Sequence, residues 1–510
     1  MFSRTDDSFG VNEVLLAQVI GCGLWSLFAA QPLVIVGITG PVAIFAYTIY
    51  DIVEPMGYNY FEFWAWIGIW SFIFHALLAI LSGCSALKYV TKLPCDTFGL
   101  YIAFVYLQKA VEILLLQWDY SGPNSAVPYL ALSTALLVVI FGYATFLIGL
   151  TSLLRPMWRK IIEDYGLPLV VIFFSGFVHI GKMSAVDLRA LPVAASFEPT
   201  ADRSWIVPFW QSDAGTVFYA IPFAVAVTVL FYFDHNGKLP LPLLCLIIRL
   251  FTNASPVSSL MSQSSDFPLR KPPGFHWDFF LLGLILGICG ILGLPFPNGL
   301  IPQGPLHTKS LCVDKVERGE NNKKIFVTTH VVEQRASHLC QSLLFLVTMA
   351  GPFLTALNQI PQAVLSGLFM VMGLQALTSN GVVLKIVYLL QDRETVPDDH
   401  LFKRVQRKTL WIVLALQIVA FVACFAITQT IAAIAFPAFI VLMIPVRAFL
   451  LPKWLPEEDL AALDGQVASD FGMQSLGGGS ARQDDGAQQG VSPVSSTESP
   501  GRETPLSKDE

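Results

Sequence analysis

Long apolar stretches recur along the chain without the alternation of a strand. Trp64–Leu81, Val127–Leu150, Gly215–Phe233, Phe279–Leu294, Leu339–Leu357 and Thr409–Ile427 are apolar all round. A helix of about 20 such residues crosses the hydrocarbon core of a bilayer. A membrane β-barrel needs alternating segments instead. The pattern therefore predicts an all-α polytopic membrane protein embedded in the lipid bilayer. About thirteen spanning or half-spanning segments are expected. They are 11–29, 31–53, 60–86, 97–117, 127–150, 166–183, 215–236, 275–296, 300–313, 337–354, 361–380, 407–425 and 428–450. Glycine and proline break the second and the ninth. The Gly/Ser/Gln/Asp-rich stretch 456–510 is expected to be a disordered tail, and no second folded domain is expected.

Charge orients the segments. Lys88 and Lys92, then Arg155, Arg159 and Lys160, then Arg270 and Lys271 lie in alternate loops. Loops 310–336 and 381–408 are also basic, and Arg447 and Lys453 flank the last segment. Loops 51–58, 118–126 and 355–360 carry no Lys or Arg, and 184–214 carries only Arg189 and Arg203. The basic set is assigned to the cytoplasm, and the tail with it. The count of crossings then places Met1 outside. No cleavable signal precedes the first segment, so the reading is that a first helix is missing. Composition agrees with a membrane chain: of 510 residues 54% are hydrophobic and 13% charged, against about a quarter charged in soluble domains. The net charge of −6 comes mostly from tail and loops and points to no nucleic-acid partner. The 8 cysteines sit in or beside apolar segments, with no spacing that reads as a disulfide framework or zinc site, and are expected to pack.

Candidate chemistry gathers at the broken segments. Gln31-Pro32-Leu33-Val34-Ile35-Val36-Gly37-Ile38-Thr39-Gly40-Pro41 is an extended run leading into a helix from about Val42, with Thr39 as N-cap and Pro41 at the first helical position. Prolines interrupt Gly293–Pro305 repeatedly before helical spacing resumes. Non-helical backbone at membrane depth is tolerated only inside protein or along a wet cavity. One broken helix in each half of a chain marks an inverted-repeat transporter with its site at the midplane. The two helix N-termini would draw an anion without a full Lys or Arg charge. Asp234 ends an apolar run, where a carboxylate is costly and usually functional. Glu112 is a second intramembrane acid, within helical reach of Lys109. His75 and His179 are expected to satisfy local hydrogen bonds. His307 and Lys309 follow the second broken segment without a partner nucleophile. No P-loop, metal-ligand cluster or nucleophile elbow occurs, so neither enzyme activity nor a cofactor or metal is expected.

These residues carry a specific resemblance. The run 31–41, Phe233-Asp234-His235-Asn236, Phe275-His276-Trp277-Asp278, the run 293–311 and Glu333-Gln334-Arg335 resemble the anion-exchanger (bicarbonate transporter) family, most of all its fungal and plant borate-exporter branch, across nearly all of 8–450. The resemblance implies a 7+7 inverted-repeat fold with a core and a gate domain. In this chain the core would comprise 1–86 and 215–354, and the gate 97–214 and 355–455. It also implies an anion held between the third and tenth half-helices, with an acid from the eighth segment nearby. Carried over, the substrate-binding positions are Thr39, Gly40, Pro41, Val42, Asp234, Ile301, Pro302 and Gln303. Gln303 stands where animal chloride/bicarbonate exchangers carry an arginine, which disfavours simple chloride exchange. A homodimer through the gate domain and a plasma-membrane location, with the vacuolar membrane as the alternative, are further expectations.

Two departures from the family pattern stand out: the first segment is absent, and 237–256 intervenes after Phe-Asp-His-Asn. Gly237-Lys238, Thr252-Asn253 and Pro256-Val257 fit the donor, branch point and acceptor of a retained intron, and Pro240 and Pro242 would stop the eighth helix soon after Asp234. The expected function is secondary active efflux of a small inorganic anion, borate, by alternating access. The alternatives are a bicarbonate or other inorganic-anion exchanger, and, in another class, a non-transporting membrane scaffold or sensor whose tail offers Ser492-Pro493 and Ser499-Pro500, or a defective gene-model product.

Overall fold

The structure is a computed structural model. It describes residues 4–6, 8–81, 92–121, 125–151, 154–235, 267–271, 274–300, 303–318, 324–392, 396, 401–430, 433, 443, 446–447 and 451–464. The stretch 237–256, Ile301, Pro302, most of 428–450 and the tail from 465 lie outside the described residues.

The first half of the chain runs α1 (Val11–Phe28), β1 (Val36–Gly37), α2 (Gly40–Val53), α3 (Tyr60–Ile80), α4 (Lys92–Ser121), α5 (Ala126–Leu150) and α6 (Pro156–Phe177). The second runs α7 (Ala214–His235), α8 (Phe275–Ile291), β2 (Asn298–Gly299), α9 (Gln303–Ser310), a hairpin β3–β4 (Cys312–Arg318, Lys324–Val331), α10 (Ala336–Thr348), α11 (Gly351–Leu357), α12 (Gln362–Thr378), α13 (Gly381–Leu390), α14 (Arg407–Thr428), α15 (Leu451–Trp454) and α16 (Glu457–Leu463). Among the described residues 6 helices are long and apolar enough to cross a bilayer, and two bent pairs, α10–α11 at 90° and α12–α13 at 64°, bring the number to 8. Side chains set several helix starts. Asn59 Oδ1 accepts from Phe61 N and Glu62 N, Ser125 Oγ from Val127 N, and Asn380 Oδ1 from Val382 N, each satisfying an orphan donor of the first turn.

The contacts repeat with inverted symmetry. α1 packs on α10 as α8 packs on α3; α5 packs on α12 as α14 packs on α4; α1 meets α8 and α4 meets α12 between the halves. One bundle gathers α1, α2, α3 and α7–α11, and the other α4–α6 and α12–α14. Small residues bring the backbones together, the usual device where lipid removes the hydrophobic drive for association. A Cβ on Gly367 of α12 would stand 2.7 Å from the Ala135 carbonyl of α5.

Four details differ from the sequence reading. α6 begins at Pro156, inside the expected loop 151–165, because proline suits a helix start and the polar turn behind it escapes a hydropathy reading. Loop 310–336 folds into the β3–β4 hairpin. Lys385, read as a loop charge, is a helical residue only 2% exposed, with Nζ 3.2 Å from Asp96 Oδ2 and 3.0 Å from Gln417 Oε1. The folded chain also runs past 456: α16 buries Leu460 and Leu463 among Leu93, Leu410 and Val413. Asp464 then accepts from Leu93 N at 2.7 Å and pairs with Arg447 at 2.6 Å.

Candidate functional site: two half-helices on one ladder

The two broken segments meet. Val36 pairs with Gly299 and Gly37 with Asn298 in a two-stranded antiparallel ladder, from which α2 and α9 depart. α7 lies against β2. Gly37 is closely packed: a Cβ would stand 2.7 Å from the Gln18 amide and 3.0 Å from Leu300, so both side chains would have to shift.

The segment expected to be extended turns at Pro32–Val34 before the short strand, and such non-helical backbone must find partners; it does, carbonyl by carbonyl. His307 Nδ1 donates to Leu33 O at 3.0 Å and His338 Nε2 to Val34 O at 2.9 Å. Leu300 N donates to Ile35 O at 2.8 Å. Cys22 Sγ donates to Val36 O at 3.2 Å. The Gln18 amide, turned with its nitrogen toward Val36 O (3.2 Å), accepts from Ile38 N at 3.1 Å. Cys22 thus does more than pack. In the second segment the chain turns at Gly293, whose φ of +59° favours glycine. Trp64 Nε1 donates to Leu294 O at 2.8 Å, and its indole stacks on Phe296 at 4.3 Å.

An arginine caps each helix that precedes a broken segment. Arg203 donates to Leu292 O (3.2 Å) and Gly293 O (2.8 Å) at the end of α8. Arg335 donates to Ser26 O (2.9 Å) and Ala29 O at the end of α1. Each cation meets the negative end of a helix. Acids complete both ends: Glu13 Oε1 lies 4.0 Å from Arg203 and accepts from Thr200 N, while Asp278 Oδ2 accepts from Gln31 N at 3.2 Å. In its loop outside the membrane, Arg203 is pulled below its ordinary pKa by burial, opposed by Glu13. Guanidinium starts so high that the charge persists.

The expected site residues fall as follows. Thr39 is the N-cap of α2 by backbone, with φ −103° and ψ 159°, but its hydroxyl caps nothing. Its Oγ1 is buried without a hydrogen-bond partner among the described residues, and so is Gln303 Oε1 at the start of α9. Gly40, not Pro41, opens the helix, and Val42 is buried at 1%. Gly40 faces the other bundle, its Cβ position 3.6 Å from Val105 of α4. Asp234 lies in the last turn of α7; its side chain, like Ile301 and Pro302, lies outside what the structure describes. The ladder thus joins the segments that carry Thr39 and Gln303, and α7 reaches it. Lys109 Nζ pairs with Glu112 at 2.7 Å as spacing predicted, and lies 5.2 Å over the Tyr47 ring of α2. His75 and His179 bond to the carbonyls of Ser71 and Gln359. The sequence reading passed over Gln18, Cys22, Arg203, Asp278, His307 and His338 as supports of the site. One signal was available for His307: it follows Gln303 by one helical turn.

Two half-helices that depart from one ladder, in a fold that repeats itself between its halves, place the chain among transporters of the inverted-repeat class. The chain matches the HCO3- transporter integral membrane domain over residues 1–126 and 120–468, and it belongs to that family. It is 47% identical over 472 residues to a putative transporter of Schizosaccharomyces pombe, covering 92% of this chain and 87% of that one. It is 40% identical over 484 residues to boron transporter 1 of Saccharomyces cerevisiae, covering 93% and 79%. The rat band 3 anion transport protein is 24% identical over 495 residues, covering 91% of this chain and 50% of that one. The transmembrane domain of the cyanobacterial bicarbonate transporter BicA shares the fold, with a TM-score of 0.51 at 15% identity, covering 83% of this chain and 91% of that one.

Proposed function

We propose that this chain exports borate across the plasma membrane by alternating access, with its tail in the cytoplasm. The observation that carries the reading is the buried, unpartnered pair Thr39 Oγ1 and Gln303 Oε1 at the starts of the two half-helices. Borate is boric acid with a bound hydroxide, a small tetrahedral anion whose hydroxyls both donate and accept. Gln303 Oε1 can accept from such a hydroxyl, and Thr39 Oγ1 can accept or donate. The first-turn N–H groups of Gly40 and Val42 add donors at a positive helix end. Pro41 supplies no donor and fixes the helix start. Ile301 and Pro302 complete the lead-in to Gln303 on the same reading. Asp234 accepts borate hydroxyls or carries a coupled proton. The identity to a yeast boron transporter supports borate as the cargo.

The core, 1–86 and 215–354, moves against the gate, 97–214 and 355–455, and two chains associate through their gates. The second reading, bicarbonate exchange on the same site, is favoured by the family's description. Purified chain in liposomes loaded in turn with borate, bicarbonate and chloride separates the two. Borate flux without chloride exchange is expected, and bicarbonate flux in the absence of borate flux would replace the first reading with the second.

A further inference from the structure

We infer that His307 and His338 are positioning residues for the anion site, each working through one fixed neutral tautomer. The inference rests on the half-helix reading above and extends it to residues that do not touch the anion.

The two rings lie edge to face at 4.9 Å and reach successive carbonyls of the turn that leads into β1. A carbonyl only accepts, so the ring nitrogen facing it carries the proton. That nitrogen is Nδ1 in His307, toward Leu33 O, and Nε2 in His338, toward Val34 O. The neighbours of His307 suit the first assignment. Gln334 Nε2 donates to Ser337 Oγ at 2.8 Å, and Ser337 Oγ lies 2.9 Å from His307 Nε2. With the proton on Nδ1 the neutral ring presents Nε2 as an acceptor, and the Ser337 hydroxyl, which accepts from Gln334, can donate to it. The chain Gln334 to Ser337 to His307 to Leu33 is complete with the imidazole neutral. His338, 1% exposed, has Ser337 Oγ 3.5 Å from its other nitrogen.

Their placement gives the bonds a role beyond satisfying polar groups. His307 belongs to α9 itself, one turn after Gln303, so its side chain lies on the same helix face as that of Gln303. Its bond to Leu33 O therefore ties the second half-helix to the segment that leads into the first. His338 ties the next carbonyl to α10. Leu33 and Val34 lead through the ladder to Thr39, so these bonds set where Thr39 stands relative to Gln303. The opposite lead-in is held differently, by the Trp64 indole on Leu294 O.

Two isosteres read the tautomers separately. An asparagine amide nitrogen falls near histidine Nδ1, and a glutamine amide nitrogen near Nε2. His307→Asn, His307→Gln, His307→Leu and the same three at His338 are made in the full chain, with membrane protein level and KM for borate measured in vesicles. At 307, Asn should hold KM within about threefold of wild type, whereas Gln and Leu raise it about tenfold or more at equal protein level. At 338 the pattern inverts: Gln holds KM, and Asn and Leu raise it. Equal effects of Asn and Gln at either position, or losses confined to protein level, overturn the inference. If the wild-type chain moves no borate, the borate reading falls, and the positioning claim is read without transport. Thr39→Cys is then placed in each background, and its labelling rate by an anionic methanethiosulfonate is compared with that of Thr39→Cys alone. Rates that change only when combined with His307→Gln, His307→Leu, His338→Asn or His338→Leu support the inference; one common rate overturns it.

Discussion

Gly68 of α3 and Gly290 of α8 meet backbone to backbone. A Cβ on Gly68 would lie 2.8 Å from Leu286 O and 2.9 Å from Gly290 Cα, and one on Gly290 would lie 3.0 Å from Gly68 Cα. No side chain there can swing aside, so Gly68→Ala must push α3 and α8 apart within the bundle that carries the ladder. The variant should lose thermal stability in detergent, by roughly the 1–3 kcal/mol typical of overpacking. Gly176→Ala in α6, where nothing lies within 4 Å of the added Cβ, should be neutral. A thermal melt of both purified variants checks the contrast.

Thr39 and Gln303 are expected to act through affinity. A hydrogen bond to a charged ligand is worth about 1.5–3 kcal/mol, or about 10- to 100-fold. Thr39→Val and Gln303→Leu should each raise KM for borate by that order without lowering protein level. Fitting flux against borate concentration gives the answer, and a change in maximal rate alone would assign them another role.

Lys309 of α9 pairs with Glu163 of α6 at 3.4 Å, across the two bundles. Both side chains are well exposed, at 67% and 44%, so the pair contributes about 0–1 kcal/mol and can break as the bundles move. Lys309→Glu should therefore leave folding intact. A short cross-link between cysteines placed at 163 and 309 should stop flux, and reducing it should restore flux. Unchanged flux in the cross-linked protein would mean that the bundles do not slide there.

The C-terminal helix α16 supplies a fourth expectation. Thr409 Oγ1 donates to Asp459 at 2.8 Å, and Leu460 and Leu463 are buried. Truncation after Leu455 should lower the melting temperature, whereas truncation after Asp464 should not. Equal melting of the two would detach α16 from the bundle of α4–α6 and α12–α14.

Most spans were legible because lipid demands long apolar runs. The broken segments were legible because Gly37, Pro41, Gly293 and Pro302 are hard to place in a continuous helix. Features resting on long-range polar contacts were not. Nothing in the order of residues brings His307 and His338 to Leu33 and Val34, or Lys385 to Asp96. α16 hid in a polar tail because its few leucines make a face only once α14 and Leu93 are there to receive it. The segment 237–256 is a matter of sequence alone. A chain lacking it should export borate faster than the full chain, and spliced transcript that still encodes it would remove the intron reading.

The most direct test is borate efflux from a transporter-null host expressing the full chain, the chain lacking 237–256, and the latter with Asp234→Asn, Thr39→Val or Gln303→Leu. The account predicts efflux that is faster without 237–256, falls about tenfold or more in the Thr39 and Gln303 variants, and loses its pH dependence with Asp234→Asn. Absence of efflux from both parent chains, or efflux indifferent to all three substitutions, would contradict it.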